Sequence, residues 1–80
     1  MRAIDAIKQA AAVAGVPTTH IGRTMGKADS YVAVVANKGT DPSTANAAAM
    51  LAPCGYALAA VPVDDLPPSA LVIDPAERTA

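Results

Sequence analysis

The chain has 80 residues, a formal net charge of −1 and 52% hydrophobic residues, yet no Phe, no Trp and two Tyr, and 20 of its residues are Ala. A chain this short forms one domain and buries about 60–65% of its unfolded surface, so it is marginal alone. One Cys excludes an internal disulfide, and one His with one Cys cannot supply the four ligands of a structural zinc site. Self-association is therefore the expected source of extra stability, and no metal or other cofactor is expected. No apolar run approaches the roughly 20 residues of a membrane span, and Asp5 and Lys8 interrupt any signal-peptide core. A lone thiol fits a reducing cytoplasm.

The first predicted element is a helix over residues 3–14, where Ile4, Ile7, Ala11 and Ala14 recur at helical spacing and Gly15 offers a C-terminal stop. Pro17 suits a helix entry and Thr18 can cap the donors that follow. A second, short helix is expected over residues 20–25, ending at Gly26, with Ile21 and Met25 turned inward. A third is expected over residues 29–37. Its Val32, Val35 and Ala36 make a narrow buried face, while Ser30, Ala33, Val34 and Asn37 share another. Two polar residues, a bare methyl and an exposed valine are not what solubility alone selects. Gly39 to Pro42 reads as a turn, with Asp41 as cap and Pro42 opening a fourth helix that runs to about residue 52. Ala47, Met50, Leu51 and Cys54 form its stripe, and Pro53 and Gly55 end it.

After Gly55 the period changes. Residues 57–63 and 70–73 are short runs of Val, Ile, Leu and Ala around Asp64-Asp65-Leu66-Pro67-Pro68, and they read as the two strands of a hairpin. Two strands alone do not make a stable sheet, so a second copy of the chain is expected to cover them. Tyr56, Leu58, Val61, Val63, Leu71 and Ile73 are the predicted dimerisation residues. The expected division is a helical bundle over 1–55, a hairpin extension over 56–74 and a frayed tail over 75–80.

Charge is unevenly placed. Residues 1–40 carry five Lys/Arg against two acids, and residues 41–80 carry one Arg against five acids. A polyanion would meet the first half. Two short helices joined by a tight glycine-containing turn and packed on a first helix make a helix-turn-helix, whose second helix enters the DNA major groove. Gly22 and Gly26 let the helices approach closely, and Ser30, Ala33 and Val34 are short enough for base edges to be reached. Arg23, Lys27 and Lys38 lie at the edges of that face, where phosphates would pass. Tyr31 offers either a hydroxyl to the DNA backbone or a partly buried ring.

The run Thr18-Thr19-His20-Ile21-Gly22-Arg23-Thr24-Met25-Gly26, then Ser30-Tyr31-Val32, then Asn37-Lys38-Gly39-Thr40-Asp41-Pro42-Ser43 resembles the Xre-type, lambda-repressor-like helix-turn-helix family. The resemblance covers residues 16–58. Ile21 stands where the family has its second-helix leucine, Gly22 where it usually has alanine, and Gly26 at its turn glycine. The resemblance implies a mainly α, four-helix bundle that binds double-stranded DNA and regulates transcription. Thr18 would cap the second helix and touch the backbone, and Thr18 or Thr19 stands where the family often has Gln. Asp29, Ser30, Ala33 and Val34 would face base edges, and Asn37 and Thr40 would contact phosphate or neighbouring bases. Ala28 stands where a capping Ser is common, Asp29 where Gln or Arg is frequent, and Ala36 where Glu is frequent.

Residues 55–62 are similar to the strand extension by which helix-turn-helix antitoxins and phage regulators pair across a two-fold axis. What this implies is a homodimeric repressor of phage or mobile-element type, with half-sites about 34 Å apart. Two or three Lys/Arg on each subunit would give a slope of about −4 to −5 in log K against log salt. The rival expectation is a protein-binding module whose acidic second half meets a partner, such as an antitoxin masking a toxin or a phage-borne inhibitor of a host defence complex (anti-CRISPR type). An enzyme is not expected. Cys54 reads as a small core residue, His20 as a solvated side chain and Asp64-Asp65 as a solvated turn. Gly22 and Gly26 lack the rest of a phosphate-loop pattern.

Overall fold

The computed structural model describes residues 1–74. Four helices follow in chain order: α1 (Ala3–Ala14), α2 (Thr18–Thr24), α3 (Tyr31–Asn37) and α4 (Thr44–Leu51). A 3-10 turn at Ala52–Cys54 continues α4, and another stands alone at Val63–Asp65.

Helix α1 is made of strong helix formers, and its Ala3, Ile4, Ala6, Ile7, Ala10 and Ala11 are buried along one stripe. Ala14 lies at the surface instead of inside. The reason is the helix end: Gly15 takes a left-handed φ of 71°, and the Val16 N–H turns back to the Ala11 carbonyl at 2.9 Å. Val16, not Ala14, then packs against the core.

The capping pattern differs from expectation at Asp41. Its carboxylate accepts from the backbone N–H groups of Ala3 (3.2 Å) and Ile4 (3.4 Å), so it caps α1 across the molecule and not α4 beside it. The residue preceding α1 is Arg2, which has no acceptor to offer, and its Nε stands 3.5 Å from Asp41. A carboxylate at a helix N-terminus also opposes the helix dipole favourably. Helix α4 is capped by Ser43, whose Oγ accepts from the Asn46 N–H at 3.2 Å.

The core is small. Ile4 and Ile7 from α1, Ile21 from α2, Val32 from α3 and Met50 from α4 are its largest fully buried side chains. Ala10, Ala11 and Ala47 fill the space between them, so α1 can pack closely against both α3 and α4. Leu51 and Cys54 complete the stripe expected of α4.

The predicted hairpin does not form. Among the described residues there is no β-strand, so the fold is mainly α without a C-terminal sheet. Pro62, Pro67 and Pro68 remove three ladder donors. Some of the remaining donors bond locally, Asp65 N–H to Pro62 O at 2.9 Å and Ala70 N–H to Pro67 O at 3.0 Å. The end of the segment returns to the start of the chain, with Asp74 N–H donating to Met1 O at 3.0 Å and the Met1 amino group paired with the Asp74 carboxylate. Tyr56 and Leu71 pack on the helical core as they pass. The tail expected over 75–80 lies outside the described residues.

Candidate nucleic-acid interface

The surface proposed by sequence is built from α2, the turn over residues 25–30, and α3. Helix α2 is anchored by Ile21, which has no exposed surface. The turn folds back onto α2 at Gly22: the Lys27 N–H donates to the Gly22 carbonyl at 2.9 Å, and Gly26 takes a φ of 70°. A Cβ on Gly22 would stand 2.4 Å from the Ala28 carbonyl oxygen and 3.3 Å from Tyr31 Cβ. Only a hydrogen fits there, and that close approach sets the angle at which α3 leaves the turn.

Helix α3 starts at Tyr31, two residues later than its apolar spacing suggested, so Asp29 and Ser30 belong to the turn. Val32 points inward, and Tyr31, Val35 and Ala36 are half-buried. Ala33, Val34 and Asn37 are exposed together on the outer face of α3, with Ser30 exposed at its start and Lys38 and Thr40 exposed beyond its end. On α2, Thr18 is half-buried as the first helical residue, and Thr19 and Arg23 are exposed. Thr18 is not the cap, because Pro17 holds the cap position and no side chain bonds there. Of the expected residues, Thr18 and Tyr31 are half-buried and the others are exposed.

Electrostatics change the picture at one point. The Arg23 guanidinium donates to both carboxylate oxygens of Asp29, from Nε at 2.8 Å and from Nη2 at 2.7 Å. The hydrogen bonds from Arg23 hold the Asp29 carboxyl below its ordinary value, and those to Asp29 raise the Arg23 guanidinium above its own. The pair spans six positions across the turn, a separation governed by no helical or strand rule, so sequence gave no sign of it. Lys27 Nζ stands 5.9 Å over the Tyr31 ring, within cation–π range. The acid next to the outer face of α3 is thus already paired with a cation.

The residues expected to dimerise divide in two. Tyr56, Leu71 and Ile73 are half-buried against their own chain and line a groove of about 290 Å³ with Leu58 and Val61. Val63 is 81% exposed on its 3-10 turn. Cys54 is buried with its Sγ 3.8 Å from the Met50 carbonyl, and burial pushes its thiol up. No helix of the described residues is long and apolar enough to cross a membrane. The described residues hold no group of three or more His, Cys, Asp or Glu able to bind a metal ion. Comparison with known proteins finds no matching family model, curated protein or solved structure.

Proposed function

We propose that this chain is a sequence-specific DNA-binding transcriptional regulator of the helix-turn-helix kind, a homodimeric repressor that occupies an operator and reads it with the outer face of α3. The observation that carries the reading is the character of that face. Ser30, Ala33, Val34 and Asn37 are all exposed and short, between Lys27 at one end and Lys38 at the other. Short polar and methyl groups let a helix sit deep in the major groove, where Asn and Ser bond to base edges and Ala and Val meet thymine methyls. Cations at the two ends suit the passing phosphates. The steric lock at Gly22 supports it too, because base readout needs a helix held at a fixed angle.

The dimer no longer rests on a paired strand edge. It rests on the small core and on the apolar side chains left at the surface of residues 58–72, among them Leu58, Val61 and Val72.

Selection from a random duplex pool by the full chain tests the reading, followed by fluorescence anisotropy at two salt concentrations. The expected result is an enriched, two-fold repeated motif with half-sites about 10 base pairs apart. It should be bound at least about 1,000-fold tighter than random DNA, with a salt slope of about −4 to −5. Ser30→Glu and Lys38→Glu should each abolish the preference. Failure to enrich any motif, or equal affinity for selected and random duplexes, rejects it.

A second reading, a protein-binding module, is favoured by the other half of the surface. Residues 39–74 carry four Asp and no Lys or Arg, and Val63, Asp64 and Asp65 project together on an exposed 3-10 turn. An antitoxin would use both faces. Lys38→Glu would then remove DNA binding and leave a protein complex intact.

A further inference from the structure

We propose that Arg23 and Asp29 form a preset clamp for a DNA backbone phosphate, in which Asp29 is the positioning residue and Arg23 the contact. The inference rests on the DNA-binding reading and adds a part to it. An acid beside a recognition helix would ordinarily weaken DNA binding by repelling phosphate. Here the geometry gives it a different role.

The guanidinium offers five N–H groups in a rigid plane. Two of them, on Nε and Nη2, are directed at Asp29 in a side-on fork at 2.8 and 2.7 Å. That leaves the Nη1 edge of the same plane, whose hydrogens diverge from the fork. Among the described residues Nη1 has no hydrogen-bond partner, and the Arg23 side chain is well exposed. Unpaired, an arginine on a short helix samples many rotamers and loses that freedom when it meets a phosphate. Held by two parallel bonds, it gives up less of that freedom on binding, which favours binding.

The backbone beside the anchor is itself constrained. Asp29 lies in the turn that Gly22 holds against α2, where the Ala28 carbonyl leaves no room for a Cβ on Gly22. It also precedes Ser30, whose carbonyl accepts from the Val34 N–H at 2.9 Å at the start of the α3 face. The clamp therefore has a set position relative to the side chains that would meet the bases. Lys27 and Lys38, by contrast, are single ammonium groups on flexible stems.

The test is a double-mutant cycle on the full chain, measured by anisotropy against the duplex selected by the parent protein, with the unfolding midpoint of each variant recorded alongside. Charge alone predicts that Asp29→Ala tightens binding. The clamp predicts that Asp29→Ala and Arg23→Ala each weaken it by about tenfold, and that the double variant is no weaker than Arg23→Ala alone. Asp29→Asn, which keeps the shape and loses the charge, should weaken binding as well, at an unchanged unfolding midpoint. Equal or tighter binding by Asp29→Ala overturns the clamp while leaving the DNA reading intact. A loss from Asp29→Ala that persists in full on the Arg23→Ala background also overturns it, because Asp29 would then act by itself. If the parent enriches no duplex at all, the DNA reading falls and the clamp with it.

Discussion

At the residue scale, Gly22 shows how one atom decides the geometry of the site. Replacing Gly by Ala in a helix normally gains about 1 kcal/mol from backbone entropy. At Gly22 the added methyl would meet a backbone oxygen at 2.4 Å, so backbone and not a flexible side chain would have to shift. Overpacking of this kind costs about 3 kcal/mol, so the clash outweighs the propensity gain. Gly22→Ala is therefore expected to lower stability by about 2 kcal/mol in urea denaturation. A gain in stability would show that the turn is not pressed against α2. The glycine itself was legible in the sequence as a small residue needed for close packing. What it packs against was not, because the Ala28 carbonyl reaches it only after the turn has folded. The same holds for Arg23 and Asp29, which were both placed at the interface by sequence, on opposite sides of one charge argument, and which the fold joins.

At the element scale, the four helices follow their local signals closely. Gly15 ends α1, Pro17 precedes α2, and the stripe Ala47, Met50, Leu51 and Cys54 lies inward. The errors are at starts and caps. Asp41 has every local feature of a cap for α4, followed as it is by Pro42, yet it bonds to the first turn of α1. Capping is a contact to free N–H groups, and any helix whose N-terminus is brought near can supply them. Asp41→Ala should therefore destabilise the chain by about 1 kcal/mol, seen as a lower melting temperature by circular dichroism. The amide protons of Ala3 and Ile4 should lose hydrogen-exchange protection while those of α4 keep theirs. Loss confined to α4 would restore the local reading.

At the scale of the whole molecule, the segment over 56–74 is where pattern and structure part. Its short apolar runs read as strands, whereas in the structure Tyr56 and Leu71 pack on the chain's own core and Leu58, Val61, Val63, Leu66 and Val72 stay exposed. Leu71→Ala is expected to reduce stability by about 1–2 kcal/mol, less than the cost at a fully buried leucine. Val63→Ala, at an 81% exposed position, should stay within about 0.5 kcal/mol of the parent. Denaturation at two protein concentrations separates this from a dimer contact, since a role at a subunit interface would make the Leu71 effect concentration-dependent. The opening shortage of bulky residues is met in part inside one chain, by Tyr56 and Leu71 folding back. By itself the sequence determined the order of the four helices, most of their inward residues and the run of short side chains on α3, because these depend on spacing of three or four residues and on Gly and Pro. The tertiary structure decided which carboxylate caps which helix, that Asp29 is bound by Arg23, and that residues 56–74 wrap and do not pair. Each of these is a contact between groups far apart or across a turn, and only packing brings them together.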